Sequence, residues 1–173
     1  MKTTVLKFFT LSVAIFAFTN ISFGQGNTAS GASEVGARII TPIAIENNAP
    51  LEFGNLLETG SQYTVILDPV TGTTTGASRP TGLEGTIQAA SFTVTGEINA
   101  TYSISVPSEA VTLDNGIEGT ANSMTLDNFV SSKYTGTISE TGDTFTVGAN
   151  LTVNASQAAG NYTGTFNVTV NYN

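Results

Sequence analysis

The sequence predicts an all-β fold, an antiparallel immunoglobulin-like β-sandwich of about 7–8 strands. Three observations predict it. Apolar side chains alternate with Thr, Ser and Asn over short runs, as strands with one buried face require. Gly, Pro and Asn cluster between those runs at turn positions. No stretch carries apolar residues at helical spacing, and Lys plus Arg number only 5.

The chain opens on a leader. Lys2 and Lys7 precede an apolar run over 8–18, and Ser22-Phe23-Gly24 places small residues before Gln25. This is the pattern of a secretory signal peptide over residues 1–24. The apolar run is shorter than the ~20 residues that a bilayer-spanning helix needs, and no membrane span is expected. An exported protein, in the periplasm, at the cell surface or outside the cell, follows from this reading. Residues 25–34 are rich in Gly, Ser, Ala, Asn and Thr and are expected to form a flexible segment. The sandwich domain is assigned to residues 35–173.

Val35, Ala37, Ile39, Thr41, Ile43 and Ile45 fall on one face of an extended stretch, and Pro42 removes one backbone donor from it. Asn47-Asn48-Ala49-Pro50 is a turn. Residues 51–54 make a short strand ending in Gly54, and residues 63–67 make another, stopped by Asp68-Pro69. The Thr- and Gly-rich stretch 71–85 is a long loop or a hairpin tip. Ala90, Phe92 and Val94 keep one phase, as do Tyr102, Ile104 and Val106 up to Pro107. Val111 and Leu113 lead into Asp114-Asn115-Gly116, a hairpin turn signal. Met124, Leu126, Phe129 and Val130 slip phase once, as at a bulge. Phe145, Val147, Ala149, Leu151 and Val153 hold strict phase. So do Tyr162, Gly164, Phe166, Val168, Val170 and Tyr172 to the C-terminus. Gly160 and Tyr162 stand where immunoglobulin-like sandwiches place a tyrosine corner, a Tyr bonded back to the preceding connection.

Composition excludes much chemistry. The chain has no Cys, His or Trp. A disulfide framework, a thiolate zinc site, a His-ligated metal and Ser–His or Cys–His nucleophile pairs are therefore out of reach. With the leader gone, three basic residues face 13 acids, so binding to nucleic acid is not expected. No phosphate-binding or nucleophile-elbow motif occurs. Asp114-Asn115-Gly116-x-Glu118 gathers oxygen ligands without the full alternation of a calcium loop, and a hairpin turn explains it better. No cofactor and no enzymatic activity are expected.

The strand edge remains. If residues 162–172 form the sixth strand of an immunoglobulin-like domain, the chain ends before a seventh. The missing strand would leave a hydrophobic groove and an unpaired edge, which strand addition from a neighbour repairs. Val35, Ala37, Ile39, Ile43 and Ile45 are the candidate donor face. Phe166, Val168, Val170 and Tyr172 are the candidate acceptor. The same residues 35–45 also suit an ordinary first strand of their own domain.

The pattern also resembles a known family. Leu51-x-Phe53-Gly54, then 90–96 (Ala-Ser-Phe-Thr-Val-Thr-Gly), then Tyr102-x-Ile104-x-x-Pro107 resemble the family catalogued as domain of unknown function 4402. Met124-Thr125-Leu126-x-x-Phe129, Val147-Gly148-x-x-Leu151-x-Val153 and the closing Gly160-x-Tyr162-x-Gly164-x-Phe166-x-Val168 continue the resemblance in the same order. Members are short secreted proteins of Gram-negative bacteria with no established activity. The layout is more distantly similar to spore-coat-U-type pilins of archaic chaperone–usher systems. Those typically carry a disulfide, and this chain has no Cys. The expected role is a non-catalytic, secreted structural or surface protein, a fimbria-like subunit joined to itself or to related subunits by strand exchange. A periplasmic chaperone and an usher are then its expected partners. The alternative is a self-complete monomeric domain that binds a glycan or a matrix protein through the loop 71–85.

Overall fold

A computed structural model describes Gly26 and residues 28–173. The proposed leader therefore lies outside the described residues. Contacts divide the chain into two units, 1–38 and 39–173. The described part of the first unit has no regular secondary structure and is exposed throughout.

The second unit is all-β, and every pairing between its strands is antiparallel. Its strands are β1 (Ala44–Ala49), β2 (Glu52–Phe53), β3 (Tyr63–Leu67), β4 (Thr74–Thr75), β5 (Ile87–Gln88) and β6 (Ala90–Thr95). They continue with β7 (Thr101–Ser105), β8 (Val111–Asp114), β9 (Ser123–Ser131), β10 (Thr135–Thr137), β11 (Asp143–Val153) and β12 (Thr169–Tyr172). A single 3-10 turn at Thr120–Asn122 is the only helical element among the described residues.

The main sheet has seven strands and is organised by β11. Residues 143–147 of β11 pair with β6, residues 150–153 pair with β3, and β9 runs along 147–152. Such a strand must be apolar on one face for its whole length, and Phe145, Val147, Ala149, Leu151 and Val153 are all buried. Gly148 is required where β11 passes from β6 to β3. A Cβ there would collide with the Leu67 carbonyl and the Pro69 ring. β8 adds to the far side of β9, and β1 adds to β6. The phase slip read in 124–130 is visible in the register. Asn128 and Phe129 together oppose one residue of β11, and Asn128 takes a positive φ of 47°.

The remaining strands form two smaller sheets, β10-β7-β12 and β2-β5. Their inward residues Phe53, Tyr102 and Ile104 join one core with Val65, Phe92, Val94, Phe145 and Leu151. This layering is that of a β-sandwich.

Two expectations about strand extent change. The stretch 35–45 is paired only from Ala44, because Pro42 has no N–H to donate and the chain before it meets no partner strand. The C-terminal stretch 162–172 is paired as a strand only over 169–172. Its partner β7 ends at Ser105, and Pro107 cannot extend the ladder, so residues 164–168 run past the end of the neighbour.

Candidate functional site

The split between the small sheets creates a cleft. Glu52 and Phe53 pair with β5, and Asn55 and Leu57 donate their N–H groups to Glu84 and Ser78. One wall of the cleft is therefore the segment 50–58, bonded outward. The opposite wall is the segment 157–166. The floor is the inner face of the main sheet, including Phe92, Met124, Leu126, Leu151 and Val153. The space between the walls is about 1420 Å³. The walls shield the floor, where Leu151 is 3% exposed, while Leu51, Leu56, Leu113, Tyr162 and Phe166 stay half-buried.

The candidate acceptor residues line or adjoin this cleft. Phe166 packs edge-on to Phe92 at 6.4 Å and tilted on Phe129 at 5.0 Å. Val168, Val170 and Tyr172 are also half-buried, and the intervening Asn167, Thr169 and Asn171 are exposed. Side-chain alternation thus runs unbroken through 166–172. The backbone does not follow it. Thr163 exchanges two hydrogen bonds with Asp114, and no backbone hydrogen bond from the described residues reaches 164–168. β12 itself is the edge of its sheet, so one side of it is open.

The wall 157–166 is fixed by Tyr162. Its hydroxyl donates towards the carbonyls of Ala158 (2.7 Å) and Ala121 (3.0 Å) and accepts from Gln157 Nε2 (2.9 Å). The bond to Ala158 runs four residues back along the connection. Gly160 is exposed, and a Cβ there would press on Asn115. Gln157 is 7% exposed and also donates to Ala121 O. Sequence reading missed Gln157, because nothing local marks a polar residue after a strand as buried.

The candidate donor residues separate into two groups, which corrects their reading as one face. Ile43 and Ile45 pack on the core of their own domain. Their neighbours in β1 have a partner in β6, and burying apolar surface there needs no other chain. Val35 and Ile39 are 96% and 99% exposed, and Ala37 is exposed as well. Between the groups, Thr41 is held at both backbone atoms. Its N–H donates to Glu97 Oε2 at 3.0 Å, and its carbonyl accepts from the Tyr172 hydroxyl at 2.7 Å. That hydroxyl also accepts from the Glu97 N–H at 2.7 Å. The close approach requires Gly96, whose Cβ would overlap the Tyr172 hydroxyl.

A polar cluster lies at the opposite end of β11. Lys133 Nζ contacts Asp143 Oδ1 at 2.5 Å, and the buried Tyr102 hydroxyl donates to Asp143 Oδ2 at 3.0 Å. Burial alone would raise the Asp143 pKa. Hydrogen bonds from Lys133 and Tyr102, with the Lys133 charge and the Thr137 N–H, outweigh it and hold the carboxyl below its ordinary value. Burial, and then the bond to Asp143, push the Tyr102 phenol well up. The arrangement keeps the acid charged and the phenol neutral, which suits a structural ion pair. Asp114 and Asn115 spend their side-chain oxygens on the N–H groups of Gly116 and Ile117, as in a turn. No group of three or more potential metal-ligating His, Cys, Asp or Glu side chains occurs among the described residues.

The sequence model of the family described as Domain of unknown function (DUF4402) matches residues 43–172. The chain belongs to this family. The matched span runs from Ile43, just after the held Thr41, to Tyr172, which holds it, so the DUF4402 domain excludes the exposed residues 35–39. No curated protein and no solved structure matches.

Proposed function

We propose that this DUF4402 protein is an exported, non-catalytic structural protein of the cell surface. It is a fimbria-like subunit with an immunoglobulin-like sandwich whose cleft accepts a β-strand from a neighbouring subunit. One observation carries the reading. From Phe166 onward the side chains keep the alternation of a strand while the backbone of 164–168 has no partner among the described residues, and this happens beside an apolar cleft. A strand entering between the walls would pair with those orphan groups and with the open edge of β12. It would also bury a row of apolar side chains. A Val and an Ile removed from water stabilise such a contact by about 3–6 kcal/mol together.

The exposed Val35, Ala37 and Ile39 are the donor this reading favours. A subunit made alone keeps its edge and cleft uncovered, so a periplasmic chaperone and an usher are the partners the reading implies. The absence of His and Cys from the sequence supports a role in cohesion over one in catalysis.

The test is assembly. Purified chain at rising concentration is expected to give SDS-resistant ladders in unheated samples, and deletion of 25–41 is expected to abolish them. Amide hydrogen exchange at 164–168 should slow on assembly. A chain that stays monomeric at every concentration, with those amides already protected, would refute the proposal.

A further inference from the structure

The connection after β8 carries a reactive pair. Asn115-Gly116 is the one Asn-Gly sequence in the chain. Gly116 has no side chain to shield its nitrogen, and it takes a φ of 81° with open space around it. A backbone nitrogen so placed can attack the side-chain amide before it and close a five-membered ring.

The Asn115 side chain is folded over that nitrogen. Its Oδ1 accepts the Ile117 N–H at 3.1 Å, which closes a turn-like ring and brings Cγ beside the Gly116 nitrogen. The Ile117 N–H therefore points at the oxygen on which negative charge grows during attack, at the distance of an oxyanion donor. The attacking N–H is itself aimed at a base, because Gly116 N donates to Asp114 Oδ1 at 3.0 Å. Asp114 is fixed in turn by the two backbone bonds it exchanges with Thr163. Base, electrophile, nucleophile and oxyanion donor are thus consecutive residues held by one turn.

We propose that Asn115 is a site of self-catalysed deamidation that loosens the cleft wall 157–166. The Gly116 nitrogen bonds to Asn115 Cγ, and its proton passes to the Asp114 carboxylate. The Cγ–Nδ2 bond breaks, and ammonia leaves with that proton. Water then opens the cyclic imide at either carbonyl. This leaves aspartate at 115, or its isomer with the backbone routed through the side chain.

The leaving amide is also a structural donor. Asn115 Nδ2 donates to Asn122 Oδ1 at 2.9 Å and, at 3.5 Å, to the Tyr162 hydroxyl. Gly160 lies against the same amide. A carboxylate oxygen in its place faces Asn122 Oδ1 as acceptor against acceptor. It also draws the Tyr162 hydroxyl away from the Ala158 and Ala121 carbonyls that anchor the wall. The isomer lengthens the backbone beside the Asp114–Thr163 pairing. Either product weakens the wall, whatever the cleft binds.

The test follows purified full chain through incubation at neutral pH. Peptide mapping should show loss of one ammonia and then gain of one water, both at Asn115, and hydroxylamine should cut the chain there while the imide stands. The folded chain should react about tenfold faster than a synthetic peptide of residues 111–120, which has the same groups without the fixed turn. Asp114→Asn keeps an oxygen for the Gly116 N–H but is a poor base, and it should slow the folded chain about tenfold or more. A folded chain no faster than the peptide would overturn the proposal, as would an Asp114→Asn rate equal to wild type. Amide exchange over 157–163 should quicken as the modified fraction grows, and Asn115→Asp should show the faster exchange from the start. Asn115→Gln, whose longer side chain cannot close the five-membered ring, should hold both mass and exchange constant. Modification that leaves 157–163 as protected as before would sever the site from the wall and refute that half of the proposal.

Discussion

The two ends of the sandwich use the same alternating chemistry and arrive at different states. At the end containing β7, β10 and β12, the second layer is complete over Val94, Tyr102 and Ile138, all with 1% exposure or less. Backbone groups there are paired on both sides of β7. At the cleft end, the second layer consists of β2 with its flanking chain and the unpaired 164–168. Phe166, Leu51 and Leu56 remain half-buried. Within the sandwich, apolar patterning aims side chains inward at both ends, whereas closing a layer needs a backbone neighbour at the right place. β7 supplies one as far as Ser105 and no farther.

The largest expected contrast comes from core deletion at each end. Ile138→Ala should cost about 2–5 kcal/mol in urea unfolding, because the closed end cannot collapse around the cavity. Phe166→Ala should cost less in the isolated chain, about 1.5 kcal/mol, since the ring is only partly removed from water. In assembled material its cost should rise. Equal costs in isolated chain and assembly would show that the cleft end is not where subunits meet.

The polar clusters give a smaller contrast. Asp143→Ala should cost about 1.5–3 kcal/mol, because it strips charged-group hydrogen bonds from Lys133 and leaves the buried Tyr102 hydroxyl without its partner. The pH dependence has a definite sign. The carboxyl titrates lower in the folded chain than unfolded, so its contribution is complete above the unfolded value near 3.9 and is lost as pH falls below it. Unfolding midpoints of the variant should therefore fall less steeply than wild type below about pH 4. At the cleft end, Tyr162→Phe should cost about 1–2 kcal/mol and loosen the 157–163 wall. Hydrogen exchange in that wall should speed up while β7 stays protected. Uniform loosening of both ends would mean that the wall is not a separate unit.

Much of the fold was legible in residue order. Period-two alternation marked β6, β7, β9 and β11 with their inward residues, and the phase slip at 124–130 marked the bulge at Asn128. Patterning failed where pairing depends on a neighbour. Residues 164–168 have the alternation of a strand and no ladder, and residues 35–43 have it as well and no ladder. The wall 50–58 was read as a short strand and the wall 157–163 only through the corner at Gly160 and Tyr162, and nothing local shows that they face each other. Tyr172 was legible as an inward aromatic. Its hydroxyl contact with Thr41, 131 residues away, was not.

What the sequence alone determined is which side chains seek the interior, because that follows from hydrophobicity and the two-residue repeat of an extended chain. The tertiary structure alone decided which backbone groups would find partners, since a hydrogen bond needs a second segment at one distance and angle. The held Thr41, the open edge of β12 and the cleft between two distant walls all belong to that second kind of fact.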